Sequence, residues 1–330
     1  MRTRTELPGP LGAAPFTIAA ARSAGVPRTR LRQPDIRHIS RGLYRPAEWS
    51  FELETAARAL SAASPGAWIS HVTAARLRCQ LLPPWLSDSE ELHLSKPRVL
   101  PEVRRKGIVG HTVLALEGEV ETTDGIRIST RPRTWLDLAR RLSLSELVCM
   151  GDELVRIPRF GLEGRNEPFA TIDGLRSMVS RHPNLQGIVR ARAALDLMRV
   201  GSDSAPETLL RLAMCDAGLP EPELQLQLRP ESPASPTADL GYRRRRLAVQ
   251  YDGGHHLLPA QIFSDRRRDK AFEAAGWTVL VLTKDDLADG FAGATARIKR
   301  ILRAAYLSPS AAAGFSNPVL RERSADIGTT

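Results

Sequence analysis

Residues 247–256, LAVQYDGGHH, leave the chain little choice of local structure. Leu247, Val249 and Tyr251 alternate with Ala248, Gln250 and Asp252, the period of a β-strand, so Gln250 and Asp252 point from one face. Gly253 and Gly254 break the strand and present His255 and His256 at its end. An amide, a carboxylate and two imidazoles gathered there suit a metal site or an acid/base site; a buried strand entering a hairpin explains the same pattern without chemistry.

The neighbourhood extends this strand into a domain over residues 204–306. Ser204 followed by Glu207 predicts a capped helix that runs through Leu209 and Leu212 to Gly218, and the capping box gives Glu207 a purely structural role. The pieces LQLQL and ADLGY read as strands, and arginines 243–246 form the turn into LAVQYDG. A basic helix over 264–275 ends at Gly276, and TVLVLT is predicted as a strand buried on both faces, with helix over 285–306. The expected class here is α/β, a mixed sheet flanked by helices.

Charge separates the two ends of the chain. The formal net charge is +10, and residues 1–50 hold nine arginines against three acidic residues. Positive charge gathered in one module is the footprint of a polyanion binder, although a solvated arginine-rich surface has the same composition. Within that module residues 1–15 are expected to be a flexible lead. Thr17 caps a short helix ended by Gly25, and PRTRLRQ predicts a second helix with Arg28, Arg30 and Arg32 around a buried Leu31. IRHISRGLYRP then alternates as a narrow hairpin, completing a winged helix-turn-helix over 16–50.

Residues 51–157 predict helices on a small sheet, an α+β body with strands in ELHLSKP, GIVGHTV and IRIST and a helix starting at Trp68. His71 and His111 read as structural histidines, with no second ligand at metal spacing near either. Asp137 and Asp152, each flanked by arginines, read as ion-paired. Residues 158–203, rich in Pro and Gly at first, are expected as a linker with a short helix around Gly174 to Arg181, followed by a basic helix from Gly187, and 307–330 as a disordered tail. Three scattered cysteines without a CxxC pair, and no long apolar run, point to a soluble protein of a reducing cytoplasm that does not enter a membrane.

Two stretches resemble known families. PFTIAAARSAGVPRTRLRQPDIRHISRGLYRP resembles the N-terminal winged-helix module of AbiEi-type antitoxins, on the Ala21-to-Gly25 turn and the Arg41-Gly42-x-Tyr44 wing. That resemblance implies binding of double-stranded DNA through Arg28, Arg30, Arg32 and Arg41, with a toxin or its promoter as the partner, and an antitoxin-like body over 51–157. The C-terminal stretch resembles PD-(D/E)XK nucleases of the very-short-patch-repair branch. Its marks are Pro206-Glu207-Thr208, Ala238-Asp239-Leu240, Tyr251-Asp252-Gly253-x-x-His256, Asp265-x-x-Arg268 and Ala275-Gly276-Trp277-x-Val279.

This second resemblance implies a restriction-endonuclease-like fold and an endonuclease that hydrolyses DNA with Mg²⁺ or Mn²⁺. Glu207, Asp239 and Asp252 would be its metal ligands, with Gln250 and His256 completing the catalytic set. The chain departs from the pattern at Gln250, where the family carries an acid; an amide brings no negative charge to attract the cation. A DNA-binding antitoxin or repressor that does not cut is the alternative.

Overall fold

A computed structural model describes residues 6–159, 163–232, 234–254 and 259–307. The chain divides into two compact units, Met1–Leu212 and Ala213–Thr330. Among the described residues no helix is long and apolar enough to cross a membrane.

The first unit opens with α1 (Gly9–Ala13), β1 (Phe16–Thr17) and α2 (Ile18–Ser23). Residues 9–13 were expected to be flexible; Pro10 instead occupies the first turn of α1, where its missing N–H costs nothing, and Leu11 is buried with Phe16, Ala21 and Leu31. Thr17 Oγ1 accepts from Ala20 N at 3.0 Å and caps α2 as expected. The predicted second helix is a single 3-10 turn, Arg30–Arg32. Pro27 and Pro34 leave too little chain between them, and Gln33 is already extended, as a residue before proline prefers. The hairpin β2 (Ile36–Ser40) and β3 (Leu43–Pro46) follows, turning at Gly42 with φ +74, and β1 adds to it in the order β1-β3-β2.

The next elements are α3 (Leu53–Ala62), β4 (Trp68–Ile69), α4 (His71–Leu77), α5 (Pro84–Ser87), β5 (Leu92–Lys96), β6 (Ile108–Thr112), β7 (Val120–Thr123) and β8 (Ile126–Ser129). The five strands form one sheet in the order β6-β5-β4-β8-β7. Trp68 and Ile69 are strand rather than the predicted helix start: both are buried, and they pair with β5 through Trp68–Ser95 and Ile69–Leu94.

Helices α6 (Arg131–Leu138), α7 (Leu144–Val155), α8 (Ile172–Arg181) and α9 (Ile188–Leu197) supply the largest core, with Trp135, Leu147, Met150, Val179 and Leu195 among its buried side chains. The two helices expected between 158 and 203 are both present as α8 and α9, and both pack into this core. The start of α9 lies tight against the end of α6 at Gly187, where φ is +91 and a Cβ would meet Arg140 N at 2.5 Å. The division between the units falls within α10 (Ala205–Asp216).

The second unit holds β9 (Glu223–Gln227), β10 (Thr237–Tyr242), β11 (Leu247–Asp252), α11 (Pro259–Ala274), β12 (Thr278–Thr283), α12 (Lys284–Ala288) and α13 (Ala292–Leu307). The sheet order is β12-β11-β10-β9; the first three strands run antiparallel in turn, and β12 returns parallel to β11 after α11. Leu226, Ala238, Ala248 and Phe272 form its buried cluster. Strand β12 is not buried on both faces: Val281 is 42% exposed and only Leu282 is buried. It lies at the end of the sheet order, with β11 as its neighbour.

Candidate functional site

Register brings Asp239 to Gln250. The pairs Tyr242–Leu247, Gly241–Ala248 and Leu240–Val249 lead to these two residues at the next step of the β10–β11 ladder. Asp239 Oδ2 accepts from Tyr251 N at 2.7 Å. With the amide of Gln250 assigned from its neighbours, Nε2 donates to Asp239 Oδ1 at 3.2 Å and the carbonyl oxygen accepts from Arg268 Nε at 3.1 Å. Gln250 is 1% exposed, and Arg268 comes from α11, so this face of the hairpin lies under that helix. Arg268 also pairs with Asp265 at 3.2 Å and with Asp269 at 3.3 Å.

Asp252 sits two positions along β11, on the strand face that carries Gln250, and is exposed. Its Oδ1 accepts from Gly254 N at 2.8 Å, which closes the turn that ends the strand. His255 and His256 lie outside the described residues. Glu207 has a helix-opening role: its carboxylate accepts from Asp203 N at 2.9 Å and from Ser204 Oγ at 2.7 Å. The structural explanation read from the sequence is therefore present for Glu207.

Of the four arginines expected at DNA, Arg28, Arg32 and Arg41 are exposed. Arg30 is engaged instead. Its guanidinium makes a two-pronged pair with Asp35 at 2.9 and 2.7 Å, and its side chain is 11% exposed. Such a fork holds the 3-10 turn to the start of β2. Arg105, from the connection between β5 and β6, reaches the β2–β3 hairpin: it donates to Ser40 Oγ, Arg41 O and Ala63 O, each at 2.8 Å.

Sequence spacing missed two polar clusters in the first unit. In one, Arg133 is fully buried between Glu119 at 2.6 Å and Asp137 at 2.9 Å, and His182 Nε2 lies 2.7 Å from the other oxygen of Glu119. Burial pushes the Asp137 carboxyl up to about 6, against the pull of Arg133. Its pair with a flanking arginine is the expected one; Asp152 is also ion-paired, but to Arg211 of α10 at 3.1 Å rather than to an arginine flanking it.

The other cluster gathers His71, His93 and His111, with one nitrogen of each within 4.8 Å of the others. The sequence reading left His71 and His111 apart; the fold stacks their rings at 3.6 Å between centroids, and His93 is the third member it did not weigh. Burial lowers the basicity of all three, and their mutual repulsion adds to this at His71 and His111, the latter falling to about 4. No sequence spacing announces the group, because the parallel pairing of β5 with β6 creates it.

No family model matches the chain. It is similar to the uncharacterized protein Rv2248 of Mycobacterium tuberculosis strain H37Rv and to the uncharacterized protein MT2308 of strain CDC 1551 / Oshkosh, in each case 29% identical over 211 residues, spanning 63% of this chain and 74% of the relative.

Proposed function

We propose that this chain is a DNA-binding protein whose C-terminal unit is a restriction-endonuclease-like domain that hydrolyses DNA with Mg²⁺ or Mn²⁺, weakened by Gln250. The observation that carries the reading is the juxtaposition of Asp239 with Gln250 on an antiparallel hairpin whose second strand is followed by a helix and a parallel strand. That connectivity agrees with what the resemblance to very-short-patch-repair endonucleases implies, and the exposed Arg28, Arg32 and Arg41 support an N-terminal winged helix that takes the phosphate backbone.

The donor chemistry fits a hard divalent ion. Asp239 and Asp252 offer carboxylate oxygens on one hairpin, and Mg²⁺ is commonly held by one or two carboxylates with waters filling its shell. When bound, such an ion makes a water nucleophilic and offsets the charge growing on the phosphate. The chain's own part is positioning: Tyr251 N–H fixes Asp239, Gly254 N–H fixes Asp252, and Arg268 sets positive charge beside Gln250. His256 remains the proposed acid/base partner, and Glu207 the third carboxylate of the resemblance.

The test is plasmid nicking by the purified chain with Mg²⁺ or Mn²⁺. Wild type should nick and Asp239→Ala should not. No cleavage of supercoiled, linear or single-stranded DNA, or equal cleavage by the variant, overturns the reading.

A second reading, an AbiEi-like antitoxin or repressor that binds DNA without cutting, is favoured by the amide of Gln250. One group that both donates and accepts satisfies Asp239 and Arg268 together with no cation between them. It predicts a gel shift of the gene's own upstream DNA in chelator, lost when Arg28 and Arg32 are both replaced by Ala.

A further inference from the structure

We propose that His71, His93 and His111 form a zinc-type metal centre in the first unit, with an open coordination position that faces a basic cavity and takes an anion. This site is separate in residues and chemistry from the carboxylates of β10 and β11.

Three different elements deliver the ligands. His93 lies on β5 and His111 on β6, where the parallel ladder pairs His93 with Val109 and Ser95 with His111, so the two imidazoles are diagonal neighbours. Their Nδ1 and Nε2 atoms stand 2.9 Å apart. A single hydrogen lies between these nitrogens, and a cation can take a lone pair from each once that hydrogen sits on an outer nitrogen, such as His93 Nε2 on the side of Glu91. Zn–N bonds of about 2.0–2.1 Å in a tetrahedral shell set the nitrogens roughly 3.3 Å apart; the nitrogens here lie within 4.8 Å on stacked rings, so the rings must turn toward a common point to admit the ion. His71 begins α4 with φ +52, a left-handed conformation unusual for a side chain of this size, and that turn stacks its ring on His111.

The outer nitrogen of His71 is held as a metal-binding histidine requires. His71 Nδ1 is 2.9 Å from Ser70 Oγ, which in turn accepts from Ser95 Oγ at 2.6 Å. This fixes the ring and leaves Nε2 as the ligand atom of His71. His93 Nε2 is buried with no hydrogen bond, and Glu91 Oε2 stands 3.5 Å away, held by Arg141 at 3.2 Å. A carboxylate behind a histidine whose other nitrogen faces its fellow ligands is the outer-shell pattern of imidazole–zinc sites.

The ligand set selects the class of ion. Three imidazoles suit zinc and other borderline transition ions, whereas Mg²⁺ and Ca²⁺ take oxygen. Three protein ligands with the fourth place open is the arrangement of catalytic rather than structural zinc. A cavity of about 1600 Å³ adjoins all three rings and is also lined by Arg98, Arg140, Arg141 and Arg181. Positive charge there works against a second cation and favours an anion, such as a phosphate oxygen or hydroxide, as the fourth ligand.

The test uses the full chain without an affinity tag. Protein stripped with EDTA, loaded with Zn²⁺ or Co²⁺ and gel-filtered should retain about one ion per chain. Asp239→Asn with Asp252→Asn should retain the same amount, which separates this centre from the proposed nuclease site. His111→Gln, half-buried and mild for the fold, should lose the ion while keeping the wild-type circular dichroism and unfolding midpoint in chelator. His93→Gln should lose it too. The Co²⁺ form should give visible bands of four-coordinate strength that shift when inorganic phosphate is added. Loss of metal from wild type on gel filtration, or full retention by both His variants, overturns the centre. Bands unmoved by phosphate overturn the open position.

Discussion

Gln250 donates its side-chain amide to Asp239 across the β10–β11 hairpin, at 3.2 Å. Replacing it by Glu removes the donor and sets two carboxylates against each other, relieved in part by Arg268. In chelator, Gln250→Glu should lower the unfolding free energy by about 1–3 kcal/mol. Mg²⁺ should restore that loss and raise cleavage. Urea unfolding with and without Mg²⁺, beside a nicking assay, checks both; a variant indifferent to Mg²⁺ in each removes Gln250 from the metal shell.

Glu207 closes the first turn of α10 through Asp203 N and Ser204 Oγ. If that is its whole role, Glu207→Ala should cost about 1 kcal/mol, as the loss of a cap does, and nicking per folded molecule should not change. A loss of turnover beyond tenfold with stability intact would give Glu207 a part in catalysis.

Arg133 carries its charge with no exposed surface, between Glu119 and Asp137. Arg133→Met leaves two buried carboxylates without their cation and should destabilise the first unit by about 3–5 kcal/mol. Thermal unfolding of the variant, followed at the buried Trp135, measures it.

Asp137 gives this unit an unusual acid response. Its carboxyl sits near 3.8 when unfolded and at about 6 when folded, raised by burial. The folded state therefore binds more protons between those values, so this contribution is complete below pH 4 and lost as pH rises through 6. The stability difference between wild type and Asp137→Asn should change by about 3 kcal/mol over that window. Denaturant titrations of both proteins at pH 4 and pH 7 provide the comparison.

Arg28 and Arg32 are exposed on the 3-10 turn and before it, whereas Arg30 is spent on Asp35. Arg28→Ala with Arg32→Ala should weaken DNA binding for every sequence and flatten the salt dependence by about two, near one per lost phosphate contact. Arg30→Ala should lower stability first. Affinities measured across a salt series, with an unfolding curve for each variant, separate the two effects.

The strands and most helices were legible where the pattern was local. Alternation in LAVQYDG gave β11, and Thr17 carries the cap expected of it. The hairpin meeting of Asp239 with Gln250 was also legible, because antiparallel register follows from two adjacent strands. Parallel pairing has no such local signal, and that is why His93 and His111, brought together by β5 and β6, escaped notice. Trp68 and Ile69 misled for a related reason: a two-residue strand has no period, and the helix after it does. The arginines of PRTRLRQ look alike in sequence, and only the fold tells the one that braces Asp35 from those left facing solvent.

Arg105 fastens the turn of the β2–β3 hairpin to the last turns of α3 through two backbone carbonyls and one hydroxyl. A hairpin so tethered has lost its swing beforehand, so if it docks on a duplex as proposed, docking does not have to freeze it. Cutting the tether with Arg105→Ala should slow capture less than it hastens escape. On the proposed reading, a residue between β5 and β6 would thereby set the dwell time of a nucleic acid that it need not touch.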